Sequence, residues 1–556
     1  MRIHLVAGAV LVASLLLPWS GFAQKFQEPT QQELQMKSDP MAPGAPAVYL
    51  YREESTDNNS HFISEYARIK ILTDAGKRWA TVYVPYSGSG APPRIEARTI
   101  HADGTVVPLT GKPEDLLAKS THSGYFGGRE FTLPAVEVGS ILEYRWTLPI
   151  SDTYVSGVIP DNQPFINSAL AGSIPYWAVQ SDLFIHKEHF YYNPLSYLAK
   201  NVVGNQSITH YTSDGEIAHY LLFSARLPAG AQVKVSPKPD YTLDIENVPA
   251  FVHEAYAPPE QSRLYAVRFY FTPYLSGDVF WTDEGKRWSK SVGQASEPTD
   301  DLKAAAAQIT AGAATAEDKA RKLYDAVQSL DNTAFTRQQS QSPGMRTGSG
   351  KAARSADAVW KAKSGTPNEM AMLYLALVRA AGLQASAMRV TDRSRSIFDP
   401  GYLSLDQLTV DLVVLHIDGK DVFLDPGEKL LPFGQLYWSH TLSGGLLQTA
   451  DGVTHEAITP PGTAKDAIDA HTADLTLDAQ GGVTGTVKAL LTGPEALRWR
   501  QLNLTEGEAE VRQQFSVTLP RMLPPGIPGE LEQVSGLTAS AGFLTFTVKV
   551  SGHLGQ

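Results

Sequence analysis

The chain has 556 residues, of which 47 are Lys or Arg and 58 are Asp or Glu, so its formal net charge is −11. A hydrophobic fraction of 43% and a charged fraction of 19% are typical of a globular protein with a hydrophobic core, which excludes a largely disordered chain. The acidic balance argues against a nucleic-acid partner. The absence of cysteine excludes disulfides, thiolate metal sites, iron–sulfur clusters and a cysteine nucleophile.

The first 23 residues have the pattern of a secretory signal peptide. Arg2 precedes an apolar run from Leu5 to Leu17, and Gly21 and Ala23 place small residues at the −3 and −1 positions of a cleavage site. This run is shorter than the stretch of about 20 apolar residues that a membrane anchor needs. We therefore expect cleavage after Ala23, a periplasmic or secreted mature protein, and no membrane span after cleavage.

Sequence patterns divide the rest of the chain into a linker and three domains. Residues 24–46 are rich in Gln, Pro and Ala and lack periodicity, which predicts a linker. Residues 47–290 are predicted to form an antiparallel β-sandwich-like domain, because a β pattern runs from about residue 47 to 240 and trailing strands are expected after it. Helical and strand patterns mix in residues 300–440, and the β pattern returns in residues 445–556, where the abrupt end predicts an incomplete C-terminal β domain. The expected fold class is multidomain α+β.

Three local patterns define the central domain. A helix is predicted from the apolar stripe that ends at Gly382, since its members recur at helical spacing: Met370, Leu373, Tyr374, Leu377, Val378 and Ala381. Residues 337–353 are rich in Gly, Ser and Gln and predict a loop. Two strands on either side of Asp418-Gly419 predict a hairpin, because Gly accepts a positive φ without strain.

Two of these segments resemble a known family. The stretch KSGTPNEMAMLYLALVRAAGL (363–383) resembles the core helix of transglutaminase-like, papain-related domains, and VVLHIDGKDVFLDPG (413–427) resembles their closing hairpin. The segments FTLPAVEVGSILEYRWTL (131–148) and ENVPAFVHEAYAPP (246–259) are similar to a bacterial domain of unknown function that commonly precedes such domains. The resemblance covers about 47–556 and implies a β domain on each side of a transglutaminase-like domain.

The resemblance implies a catalytic Cys at the start of the core helix, but this chain has none. Gly365 matches the family's Gly, Thr366 its Asp, and Pro367 its Cys. Pro is instead a good first residue of a helix, and Thr366 with Glu369 is typical of a capping box. We therefore interpret this helix start as structural, and we assign Thr366 as an N-cap rather than a nucleophile.

The family's His is also absent from its expected place. Counting back from the hairpin turn places it at Val410, or at Gln407 if three residues are inserted, and neither is His. Asp425 matches the family's Asp, although a role as a turn acceptor is the more frequent one for such a residue. His416 is predicted to face Asp421 across the hairpin, too far along the strand from Asp425 to pair with it.

Three aromatic residues, Trp360, Tyr437 and Trp438, flank the groove that the resemblance implies, near Thr366. Core packing is the ordinary role of such residues, but an aromatic-walled cleft also suits a peptide or glycan. His186 and His189 form an H-x-x-H pattern, yet the aromatic flanks predict a strand, on which the two side chains point oppositely. We therefore predict no metal site and no cofactor.

The leading hypothesis is an exported, catalytically inactive transglutaminase-like protein whose groove binds a peptide, an envelope protein or an envelope polymer. An alternative is an envelope scaffold that uses the surfaces and sheet edges of its β domains. A hydrolase with a relocated site ranks lowest, and it would require a Ser, a His and a carboxylate that meet elsewhere in the fold.

Overall fold

A computed structural model gives the structure of the chain. It describes residues 26–553, except for 88–90, 117–119, 122–123, 151–173, 195–200, 204–205, 212–216, 237–239, 256, 337–353 and 450. The predicted signal peptide and the predicted 337–353 loop lie outside the described residues.

The N-terminal part of the chain forms one short helix and seventeen described strands. They are α1 (Gln31–Gln35), β1 (Ala47–Asp57), β2 (Phe62–Ile71), β3 (Thr81–Ser87), β4 (Arg94–Ile100), β5 (Val106–Pro108), β6 (Glu114–Leu116), β7 (Ser120–Thr121), β8 (Gly124–Thr132), β9 (Ile141–Pro149), β10 (Tyr176–Ala178), β11 (Phe184–Asn193), β12 (Asn201–Val203), β13 (Gln206–Tyr211), β14 (Ile217–Arg226), β15 (Lys234–Val235), β16 (Tyr241–Val248) and β17 (Ala266–Thr272).

These strands form three sheets around one core. The largest has the order β15-β16-β11-β1-β2-β9-β4-β5, a second has β3-β8-β6 with β7 on β8, and a third has β10-β17-β14-β13-β12. Buried Ile69 and Ile185 from the first sheet, Phe131 from the second, and Trp177 and Phe269 from the third belong to the same hydrophobic cluster. The predicted sandwich-like packing is therefore present, since alternate residues of each strand point into this core.

One expectation for this region is wrong, and one strand pair is an exception to the antiparallel pattern. The predicted linker contains α1, whose Leu34 packs on the outer face of the first sheet and is 7% exposed. The Nζ of buried Lys70 donates to the Leu34 carbonyl at 3.0 Å, and Arg68 pairs with Glu33 at 3.1 Å. The sheet is also not wholly antiparallel, because β1 and β11 pair in parallel. Both features depend on long-range contacts, which local periodicity does not contain.

The central part of the chain mixes helices and strands. Its elements are α2 (Gly277–Ala295), α3 (Asp300–Ile309), α4 (Ala316–Gln328), β18 (Asp331–Asn332), α5 (Ala356–Ala362), β19 (Ser364–Gly365), α6 (Pro367–Ala380), β20 (Ala385–Val390), β21 (Val410–Ile417), β22 (Lys420–Leu424), β23 (Gly444–Gln448) and β24 (Thr454–Ile458). The predicted core helix and hairpin are both present as α6 and β21–β22.

The central sheet has the order β22-β21-β20-β23-β24, and α6 packs on one of its faces. This arrangement corrects two expected boundaries. The 440/445 boundary is wrong because β23 pairs with β20 and so belongs to the central sheet. The 290 boundary is wrong because α2, which contributes Phe280 and Trp281, packs in the same core as Leu373 of α6. The sequence pattern of a strand shows which of its faces is apolar, but not which sheet the strand joins.

The C-terminal part forms β25 (Asp469–Leu477), β26 (Gly482–Leu491), α7 (Gly493–Thr505), α8 (Glu508–Met522), β27 (Gly529–Ser535) and β28 (Leu544–His553). Its sheet has the order β25-β26-β28-β27. The two helices cover one face of it, where Trp499 of α7 and Phe515 of α8 contact Phe546 of β28. Among the described residues, no helix is both long and apolar enough to span a membrane.

Candidate functional site

The start of α6, where the family resemblance implies a nucleophile, is a complete helix cap. The backbone N–H of Glu369 donates to Thr366 Oγ1 at 3.3 Å, and the N–H of Thr366 donates to Glu369 Oε2 at 2.9 Å. Pro367 is the first helical residue, where its missing N–H leaves no hydrogen bond unmade. The capping box predicted from the sequence is therefore present.

Glu369 is held by more than the cap. The Arg354 guanidinium donates to its carboxylate at 3.1 Å and 2.9 Å, and the Arg354 backbone N–H donates at 3.0 Å. Burial by itself would raise the pKa of Glu369, but these hydrogen bonds and that from Thr366 outweigh burial and lower the pKa. An ionised, fully bonded Glu369 fixes the helix start and is not available as an acid or base.

The loop after Asp425 lies directly against Pro367. A Cβ built on Gly427 would come within 2.8 Å of the Pro367 carbonyl oxygen and 3.1 Å of its Cβ. On the other side, Asn368 donates from Nδ2 to the Thr409 carbonyl at 3.1 Å and accepts from the Asp411 N–H at 3.1 Å. The loop backbone therefore lies against half-buried Pro367, the position that matches the family's Cys, and the next residue, Asn368, is hydrogen-bonded to the backbone of residues 409–411.

The two candidate positions for the family's His have structural roles. Gln407 is 9% exposed; its Nε2 donates to the carbonyls of Asp399 (3.0 Å) and Tyr402 (2.8 Å), and its Oε1 accepts from the Asp399 N–H at 2.9 Å. It therefore fastens the 399–402 loop. Val410 is the first residue of β21 and pairs with Val390 on β20.

Asp425 does have an imidazole partner, which the sequence analysis missed. It is 1% exposed, and its Oδ2 lies 2.6 Å from Nδ1 of His440, which is 4% exposed. The same oxygen accepts the N–H of Tyr437 at 3.3 Å. His440 follows Asp425 by 15 residues and lies in a 3-10 turn, Trp438–His440, rather than on the preceding strand. The expectation that Asp425 serves mainly as a turn acceptor is therefore wrong.

The charged residues around the buried His440–Asp425 pair are acidic. Burial would lower the pKa of His440, but Asp425, then Glu428 and Asp392, outweigh it and raise the pKa. Burial and repulsion from Asp425 raise the pKa of Glu428 to about 7. Burial would also raise the pKa of Asp392, but hydrogen bonds from Ser394 outweigh it and lower the pKa. Together these groups favour a protonated, cationic His440.

The C-terminal domain reaches this acidic pocket. Gln501 on α7 donates from Nε2 to Glu428 Oε2 at 2.9 Å and to the Lys429 carbonyl at 3.1 Å. Its amide therefore holds one of the carboxylates that face His440. The site is built by two domains, a feature that the sequence did not predict.

The four predicted groove residues are not all brought together. Tyr437 and Trp438 have ring centroids 6.1 Å apart, and Tyr437 also contacts His440 at 5.4 Å. Trp438 is 43% exposed, so it forms a surface beside the buried pair. Trp360 lies on α5, packs partly on the central core and carries the Lys363 ammonium 3.0 Å from its ring centroid. Thr366 is occupied as the N-cap.

A Ser, a His and a carboxylate do meet elsewhere, on the face of the central sheet away from α6. Ser386 Oγ lies 3.2 Å from Nε2 of His416, and Nδ1 of His416 lies 2.6 Å from Asp421. Ser386 is inside β20 and pairs with Val414, so its backbone is part of the sheet. An acyl-transfer site also needs donors aimed at the developing oxyanion, and a strand interior offers none. The constellation therefore does not support the relocated hydrolase.

His186 and His189 lie on β11, as predicted, and bind different partners. The Nε2 of His186 lies 2.5 Å from Asp39, and Nδ1 of His189 lies 2.7 Å from Asp244. In the parts of the chain that the structure describes, no group of three or more His, Asp or Glu side chains is arranged to hold a metal ion.

The His440–Asp425 pair had a weak signal in the sequence. In the family motif the His precedes the Asp, so the motif predicts no partner for Asp425 later in the chain. A lone His directly after an aromatic pair, Tyr437-Trp438, and close to Asp425 was the available indication. Chain order does not restrict which residues meet in space, so a His on either side of Asp425 can be its partner.

Comparisons with known proteins agree with this domain order. Residues 57–197 match the model of a domain of unknown function with solved structures, DUF3857, and residues 303–396 match that of the transglutaminase-like superfamily. No curated protein matches the chain.

Similar solved structures include a proposed protease from Parabacteroides distasonis, with 13% identity, a TM-score of 0.41 and coverage of 92% of this chain and 94% of that chain. Another is a proposed cysteine protease from Cytophaga hutchinsonii, with 14% identity, a TM-score of 0.18 and coverage of 46% and 74%. From the two family matches, the chain carries a DUF3857 domain followed by a domain of the transglutaminase-like superfamily, and it has no cysteine.

Proposed function

We propose that this protein is an exported, catalytically inactive transglutaminase-like protein that binds an extended peptide segment of a cell-envelope partner. Export rests on the signal-peptide pattern of residues 1–23. Sequencing of the exported protein should find Gln24 at its N-terminus, and retention of Met1 would contradict the cleaved signal peptide.

The observation that carries the proposal is the packed start of α6. A thiol mechanism requires a nucleophile with open space in front of it and a base that takes its proton. Here Pro367 occupies the nucleophile position, and the backbone of Gly427 lies against it. The His440–Asp425 pair is buried, and the chain contains no thiol for it to activate.

Binding is supported by what remains around this site. Exposed Trp438 beside half-buried Tyr437 offers a flat apolar surface with a polar tip, which suits a peptide backbone and its side chains. The missing nucleophile, the capped start of α6 and the exposed Trp438 together favour ligand binding over catalysis.

Activity assays test the proposal directly. We expect neither amine incorporation nor casein cleavage by the wild-type protein, because the chain has no cysteine to form the thioester intermediate. Pro367→Cys should also stay inactive, because the buried His440 (4% exposed) is paired with Asp425 rather than with that position. Pro367→Ala is the matched control that lacks a thiol. Robust turnover by the wild type would overturn the inactive assignment.

The scaffold is a second candidate, and the edge strand β25 favours it. Its side chains are nearly all exposed, including Leu475 (47%) and Leu477 (64%), and it pairs on one side with β26. Exposed apolar edges commonly mark interaction surfaces. Crosslinking in the native envelope separates the candidates: loss of the captured partner on Leu477→Lys favours the scaffold, and loss on Trp438→Ala favours the groove.

A further inference from the structure

We infer that the cleft between the third sheet of the N-terminal domain and residues 396–407 of the central domain binds a carboxylate group of a peptide. This inference deepens the proposed function and rests on it, because it names the charged group of the peptide that the protein would bind. The cleft is separate from the His440–Asp425 pair. It is lined by polar, aromatic and cationic side chains from both domains.

The first wall is the outer face of the third sheet. Arg268 on β17 is paired with Ser224 on β14 and with Tyr176 on β10, and Arg226 is paired with Ala266. The alternate residues of β17, such as Phe269, point into the N-terminal core. Two arginines and a tyrosine therefore lie side by side on the face turned towards the central domain.

The second wall is a loop of the central domain that several hydrogen bonds fix in place. Ser262 Oγ accepts the Ile397 N–H at 2.8 Å, and Trp281 Nε1 donates to the Pro400 carbonyl at 2.9 Å. Gln407 fastens the same loop through both ends of its amide. Binding in this cleft would therefore not require ordering of the loop, which lowers the entropic cost.

The two guanidinium groups are available for an anion. Arg268 lies over the Tyr402 ring at 4.6 Å and near the Tyr176 ring at 5.9 Å, which orients it without neutralising its charge. Arg226 is exposed, and among the described residues no carboxylate forms an ion pair with either arginine. Asp399, which also lines the cleft, accepts instead from Ser224 Oγ at 3.3 Å and from the Gly401 N–H at 2.9 Å.

Size and chemistry select a carboxylate on a peptide. The cleft has a volume of about 60 Å³, which is several times the roughly 10–15 Å³ that one water needs and suits a small anionic group. Planar guanidinium groups bind carboxylates through paired, charge-assisted hydrogen bonds. Tyr176 (41% exposed) and Ile397 (43% exposed) stand beside the cleft and offer an apolar surface to the neighbouring residue of the peptide.

Isothermal titration of the full chain with three matched peptides tests the inference. The first peptide consists of alanine and leucine residues and ends in a free carboxylate. The second ends in an amide and has one internal Glu. The third is identical to the second except that Gln replaces the Glu. We expect at least one carboxylate peptide to bind at least tenfold more tightly than the Gln amide. The peptide that does so identifies the source of the carboxylate, and its affinity should fall with added salt.

Two substitutions assign that binding to the cleft. Arg226→Gln should weaken binding of the carboxylate peptide about fivefold or more and leave binding of the Gln amide unchanged. Because Arg226 is exposed, we expect this variant to fold normally. Arg512→Gln, which removes an exposed arginine on α8, is the control and should have no effect. Equal binding of all three peptides, or no change on Arg226→Gln, would overturn the inference and leave peptide binding by the groove intact. Binding of none of them would overturn both.

Discussion

Replacing His440 by Ala should lower the free energy of unfolding by about 3–5 kcal/mol, because it leaves a buried carboxylate without its partner. Asp425 is 1% exposed, and the imidazole supplies its shortest hydrogen bond at 2.6 Å. The Tyr437 N–H, at 3.3 Å, cannot replace a cation. Urea denaturation followed by tryptophan fluorescence measures the change.

His416→Ala is the matched control for this variant. His416 also pairs with a carboxylate, Asp421, at 2.6 Å, but the two side chains are 37% and 52% exposed. Water solvates the charges of such a pair, so we expect a loss of about 1 kcal/mol or less. Equal losses for His416→Ala and His440→Ala would contradict a special role for the buried pair.

His440 and its neighbour Glu428 make the free energy of unfolding depend on pH. The pKa of His440 is raised above its ordinary 6.5, and that of Glu428 is raised from 4.5 to about 7, so the folded state binds protons more tightly. This stabilisation is complete below the unfolded pKa values and is lost as pH rises through the folded ones. The free energy of unfolding should therefore fall from about pH 5 to about pH 8, and Glu428→Gln should weaken that fall. A steeper fall in this variant would contradict the assignment.

Gly427→Ala should destabilise the protein by about 1–3 kcal/mol, the usual cost of overpacking a closed contact. The added Cβ would lie 2.8 Å from the Pro367 carbonyl oxygen and 3.1 Å from its carbonyl carbon. Both are backbone atoms at the start of α6, which the Thr366–Glu369 capping box holds in place. Thermal and urea denaturation of the variant measure the cost.

Gly293→Ala is the control for that variant. Gly293 lies in α2, and a Cβ built on it meets no other atom within 4 Å. Alanine there should leave stability unchanged or raise it by up to about 1 kcal/mol, because it favours the helix over the unfolded chain. Unchanged stability of Gly427→Ala would show that the loop moves readily away from Pro367, and the position of the missing nucleophile would then be open.

The sequence alone determined the features that depend on neighbouring residues. The capping box at Thr366, the apolar stripe of α6 and the turn at Asp418-Gly419 are local patterns, and all three are present in the structure. The absence of cysteine is a property of composition and excludes a thiol nucleophile in any fold. The α+β class and the order of the domains follow from the same patterns, since helix and strand periods differ.

Tertiary structure alone decided which distant residues meet. His440, in a turn after Asp425 in the chain, pairs with Asp425. Strand β23, which was predicted to belong to the C-terminal domain, pairs with β20 of the central sheet. Gln501 of the C-terminal domain binds Glu428 of the central domain. The cleft that holds Arg226 and Arg268 likewise exists only where two domains face each other. Hydrophobic periodicity specifies which side of an element is buried, but many partners satisfy that burial equally well. The choice among them is made by the packing of the whole chain, which no local pattern contains.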